Sequence, residues 1–104
     1  MILFIRDKKR QTIVDLDVYK TEGYIELHSG VMIESYSKFL LENLDRKDEI
    51  IEDFDMISEL RGWLWEVYFM GGKNTADKYD DVLKHLRAMI RGIAVKYDLY
   101  YVED

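Results

Sequence analysis

The stretch Thr12-Ile13-Val14-Asp15-Leu16-Asp17-Val18-Tyr19 decides the fold. Val14, Leu16 and Val18 fall on one side of it and Ile13, Asp15 and Asp17 on the other. A period of two marks a half-buried strand. Working outward, Ile2 to Arg6 is a short apolar run before a charged break at 7–10, and Tyr24 to His28 is a third run. Lys20-Thr21-Glu22-Gly23 reads as a turn, with Gly23 free to take positive φ. Ser29-Gly30 reads as a second turn, and Val31 to Ile33 as a short fourth strand or the approach to a helix. Connections this short favour antiparallel pairing.

From Ser35 the period becomes helical. Tyr36, Phe39, Leu40 and Leu44 share one face, with Ser35 placed to cap it. Asp48 to Met70 reads as one continuous second helix. At about 100° per residue, Ile50, Phe54, Ile57, Leu64, Trp65 and Tyr68 form an apolar stripe. Asp48, Glu52, Asp55, Glu59 and Glu66 form a second stripe nearly opposite. Gly62 inside this helix costs about 1 kcal/mol relative to alanine, and Gly71-Gly72 ends it. A third helix starts at Asn74 or Thr75 and carries Tyr79, Val82, Leu83, Leu86, Ile90, Ile93 and Tyr97 on one face. Its acidic residues come early and its basic residues late, which suits the helix dipole. Leu99 to Val102 reads as a last strand returning to the sheet. The expected fold is α+β: a small antiparallel β-sheet of three to four N-terminal strands and a short C-terminal strand, packed against about three α-helices. It forms a single domain, 1–104.

The composition excludes several classes. The 104 residues contain no cysteine and no proline, so disulfide scaffolds, cysteine zinc sites and thiol nucleophiles are out. Hydrophobic residues at 48% argue against a disordered chain. No apolar run approaches the roughly 20 residues that span a bilayer, and the N-terminus lacks the features of a signal peptide. The expectation is a cytoplasmic protein without membrane contact. The net charge is −6, and residues 31–70 hold all of the excess. That balance repels phosphates and makes direct nucleic-acid binding an unfavoured role.

The acidic stripe is the main candidate site. It has almost no basic residue at i+4 to balance it, so like charges repel along the helix. Trp63 and Met70 fall on or beside this face. Trp63 reads equally as an interaction anchor and as a side chain packed under the first helix or against a dimer partner. Arg61 is a charge within the apolar stripe, expected to pair with a carboxylate while its stem is buried. Lys84, Arg87 and Arg91 form a smaller basic stripe on the third helix, suited to solvent or to ion pairing. Gly71-Gly72-Lys73-Asn74-Thr75 fails the phosphate-loop spacing and comes after a helix, so it reads as a helix stop and restart. His28 and His85 lack a second ligand nearby, and no hydrolase or calcium-loop motif occurs. No cofactor is expected.

Size, composition and an acidic helical face over a small sheet are similar, in class only, to accessory proteins of the inhibitor or immunity type, as phages and mobile elements encode. The expected function is a non-enzymatic protein–protein interaction module. Asp48, Glu52, Asp55, Glu59, Trp63, Glu66 and Met70 would face a partner with a basic surface. The alternatives are a homodimer joining the acidic second helix to Lys84, Arg87 and Arg91, and a small metal-dependent enzyme. The enzyme would use Asp15, Asp17 and a carboxylate from the helices.

Overall fold

The computed structural model describes residues 1–69 and 74–104. Strands β1 (Ile2–Arg6), β2 (Thr12–Thr21) and β3 (Tyr24–Val31) form an antiparallel meander. β4 (Tyr100–Glu103) returns to pair with β1, giving the order β3-β2-β1-β4. Ser29-Gly30 is not a turn; β3 runs through it to Val31, opposite Val14. The hairpin between β2 and β3 does turn at Gly23, whose φ is +77°.

Leu3, Ile5, Val14, Leu16, Val18, Ile25 and Leu27 point to one face and are buried. In β2 the alternation of Val14, Leu16 and Val18 sets the core side as the sequence indicates. Ile13 departs from it. The pairing slips between Ile5 and Arg6, whose partners are Val14 and Thr12. This bulge leaves Ile13 without a partner and turns it inward, fully buried beside Val14.

Among the described residues there are four helices, not three: α1 (Ile33–Glu42), α2 (Lys47–Ser58), α3 (Leu60–Tyr68) and α4 (Tyr79–Lys96). The expected continuous helix breaks at Glu59, whose φ and ψ are −98° and 7°. Its N–H is shared between the carbonyls of Asp55 and Met56. The one-residue break rotates α3 relative to α2, so Leu60 becomes fully buried and Trp65 moves out of the core stripe to 51% exposure. Burying a leucine contributes about 2 kcal/mol, which offsets the interrupted helix. α1 begins at Ile33 after Met32, two residues ahead of Ser35.

α4 packs over β4, β1 and β2, and α2 and α3 pack over β3. α2 and α3 run antiparallel to α4. Arg46, Glu49 and Asp53 meet Lys96 at one end, and Tyr68 meets His85 at the other. Tyr36, Phe39, Phe54 and Tyr97 form an aromatic cluster where α1, α2 and α4 converge. The apolar face expected of the third helix is observed in α4, with Val82, Leu83, Leu86, Ile90, Ile93 and Tyr97 buried.

Asn74 does not cap a helix. Its side-chain amide accepts from the Ile25 N–H and donates to the Ile25 carbonyl, both at 3.1 Å. One side chain thus takes the place of a strand neighbour on the edge of β3. The phosphate-loop and helix-stop readings of Gly71, Gly72 and Lys73 lie outside the described residues.

Candidate interaction surface

Asp48, Glu52, Asp55 and Glu59 are all exposed on α2 and at its break, and Glu66 is exposed on α3. Among the described residues none of the five makes an ion pair. The neighbouring Glu49 and Asp53 behave differently. Lys96 lies 3.0 Å from Glu49 and 2.8 Å from Asp53, and Arg46 lies 3.2 Å from Glu49. Hydrogen bonds from Lys96 and Arg46 hold the Glu49 carboxyl below its ordinary pKa. Burial pushes the Asp53 carboxyl up, but hydrogen bonds from Lys96 and Tyr97 outweigh it and its pKa is lowered. The helix face is therefore divided. The side toward α4 is neutralised, and the outer side is not.

That outer side meets α1. Burial, with the charge of Asp55 adding to it, raises the Tyr36 hydroxyl above its ordinary pKa. α1 carries a second apolar line that periodicity alone does not single out. Ile33 and Leu41 lie eight residues apart with Ser37 between them, on one side of the helix. Ile33 is 79% exposed, Leu41 70% and Leu44 61%. Leu44 was expected on the packed face with Phe39. It stands out because α1 ends at Glu42 and a 3-10 turn at Leu44–Arg46 redirects the chain. Leu44 borders one shallow depression with Asp45, Asp48 and Glu49 and with Arg46 and Lys47, so the apolar line reaches the start of the acidic face. An apolar pair at i and i+8 beside an already complete packed face was the available signal.

The two tryptophans exchange the places expected from the sequence. Trp63 is half-buried against α4, edge-on to Tyr68 at 6.0 Å and to His85 at 5.2 Å between ring centres. Its packing role is the one observed, against α4 and not α1. Trp65 is the exposed one, with Val67 beside it, also exposed. Arg61 is exposed on the border of a groove of about 400 Å³ between α3 and residues Tyr24 to Leu27. It makes no ion pair among the described residues, against the expected structural pairing. Met70 lies outside the described residues.

The expected basic stripe is largely occupied within the chain. Arg87 donates to Glu103 at 2.6 Å, and Arg91 stacks over Tyr101 at 4.9 Å. Acidic and basic helices do meet, but through Lys96 and inside one molecule. Asp15 and Asp17 lie on the strand side opposite the buried Val14, Leu16 and Val18. No group of three His, Asp or Glu placed to hold a metal ion occurs among the described residues.

A cavity of about 500 Å³ is rimmed by Lys8, Lys9, Lys38, Arg46 and Lys96, with the carboxylates of Asp7, Glu42 and Asp98 among them. Its bases surround the C-terminal ends of α1 and α4, where cations complement the helix dipoles. Arg46 donates to the Lys96 carbonyl in this way. The same negative helix ends disfavour an anionic ligand there.

No family model matches the chain, and no curated protein or solved structure shows significant similarity to it. No helix among the described residues is long and apolar enough to cross a membrane.

Proposed function

We propose that this chain is a non-enzymatic interaction module that binds a partner protein with a basic surface. One observation carries the reading: carboxylates with no counter-ion among the described residues border an exposed apolar line. Asp48, Glu52, Asp55 and Glu59 supply the charge, which speeds encounter and sets salt sensitivity. Leu41, Leu44 and Ile33 supply apolar area, and Trp65, with Glu66 beside it, supplies an aromatic anchor further along. Trp65 takes the anchoring role that the sequence pattern assigns to Trp63. Covering another protein's basic surface suits an accessory or inhibitor role.

The test is capture of a stoichiometric partner from lysate, with wild type beside a Glu52→Lys/Glu59→Lys variant and a Leu41→Ser variant. Lys84→Glu serves as a charge-changing control on α4. All these positions are exposed, so each variant is expected to melt within a few degrees of wild type. The expected result is at least a tenfold loss of capture in the first two, recovery of little by wild type at high salt, and no loss in the control. Equal capture by all four chains would remove this surface from consideration.

A further inference from the structure

The sheet face turned away from the helices carries both signs of charge, separated along the strands. We infer that this face pairs with the same face of a second copy of the chain. Leu3 and Ile5 are buried toward the helices, so Ile2, Phe4 and Arg6 point to the open side. Phe4 stands opposite Val102 on β4, and Arg6 opposite Tyr100.

At the level of Arg6 the face is basic on balance, with Arg6, Lys8 and Arg10 against Asp98, which pairs with Lys8 at 3.2 Å. The Arg6 guanidinium lies 4.8 Å from the centre of the Phe4 ring, and Lys8 and Arg10 lie 4.9 and 5.6 Å from that of Tyr100. At the level of Ile2 it is acidic. Ile2 is flanked by Asp17 on β2 and, through paired backbone hydrogen bonds, by Asp104 beyond β4. Phe4 and Val102 sit midway between the two levels.

A two-fold axis running across the strands at Phe4 and Val102 exchanges the levels. Each Arg6 then stands over the partner's Ile2, between the partner's Asp17 and the partner's Asp104, and the apolar centre meets itself. Asp15 shares the level of the axis but leans aside. Its Oδ1 lies 3.0 Å from the point where a Cβ on Gly30 would sit, so the absent side chain gives it room over β3. Nucleic acid would meet the carboxylates of this face, and a uniformly basic protein would meet Arg6, Lys8 and Arg10. Segregated charge of both signs suits a second copy. The face is roughly 20 Å on a side, smaller than the roughly 800 Å² per partner of a standard interface. Association is therefore expected in the micromolar range and should weaken with salt.

Sedimentation of the full chain across concentration, at low and moderate salt, is the first measurement. Wild type should form a dimer that dissociates as salt rises. Arg6→Glu and Asp17→Lys should each be monomeric alone, and an equimolar mixture should restore a heterodimer, because the exchanged charges again face opposite ones. A structural defect would not be repaired by mixing. A dilution series of wild type monitored by NMR is independent of any variant, and should move the amides of Ile2, Phe4 and Val102. A wild type that stays monomeric at millimolar concentration, variants that dimerise as well as wild type, a mixture that stays monomeric, or shifts confined to α1 would each overturn the inference.

Discussion

At the scale of single residues, backbone conformation and one polar network around Tyr97 make the sharpest claims. Asp98 comes just after α4 with φ of +56°, and the N–H of Leu99 bonds back to the Ala94 carbonyl at 2.8 Å. This is the position where helices usually place glycine. Asp98→Gly should raise stability by up to about 1 kcal/mol in urea denaturation. Gly92 is exposed within α4, and a Cβ there meets nothing within 4 Å. Gly92→Ala should add about 1 kcal/mol by helix propensity alone. Tyr97 shapes the pH profile together with Tyr36, Tyr68, Tyr79 and Tyr101, whose hydroxyls burial also raises. Burial, then a hydrogen bond to Asp53, pushes the Tyr97 hydroxyl up to about 12. A raised pKa favours the neutral form in the folded state. Its contribution, on the order of 2 kcal/mol, is complete below pH 10 and lost between about 10 and 12. Asp53 and Glu49 are lowered, so theirs is present above about pH 4 and lost as pH falls below it. Tyr97→Phe should reduce the alkaline loss by Tyr97's share, leaving that of Tyr101 and the other raised tyrosines, and shift the acid midpoint upward, since Asp53 loses one hydrogen bond. Melting temperature against pH checks both limbs.

At the scale of elements, the edge of β3 and the break at Glu59 decide what is presented to the outside. Asn74 satisfies both outward backbone groups of Ile25. Asn74→Ala leaves them without that partner, and should cost about 1–3 kcal/mol. Hydrogen exchange should show the loss at the Ile25 amide first, because the inner side of β3 keeps its ladder to β2. The β2 alternation and the apolar face of α4 were legible because each packs one face against one neighbour, so a period is enough. Glu59 was not legible. A helix that breaks for one residue keeps its composition, and only the burial of Leu60 beneath it reveals the new phase.

At the scale of the whole molecule, charge is sorted by packing. The end of α2 beside α4 is balanced by Lys96 and Arg46, and the outer side beside α1 is not. Two separate surfaces result, one acidic and apolar on the helices, one of mixed charge on the sheet. They should act independently. Arg6→Glu should leave partner capture unchanged, and Glu52→Lys/Glu59→Lys should leave the sedimentation of the dimer unchanged, because the substituted groups lie on opposite layers. Coupling above a fewfold in either direction, measured by capture and by sedimentation, would mean that the two surfaces are one.

Legible in the chain alone were the α+β class, the inward side of β2 apart from Ile13, the inward side of α4 and the concentration of acid in residues 31–70. All of these come from local periodicity or from counting. Packing set the rest: Ile13 turns inward at a bulge, Trp63 packs while Trp65 is exposed, and Asn74 serves a strand and not a helix. Each depends on which other element covers a face, or on a one-residue slip that rotates every later residue of its element. A period in the sequence records neither.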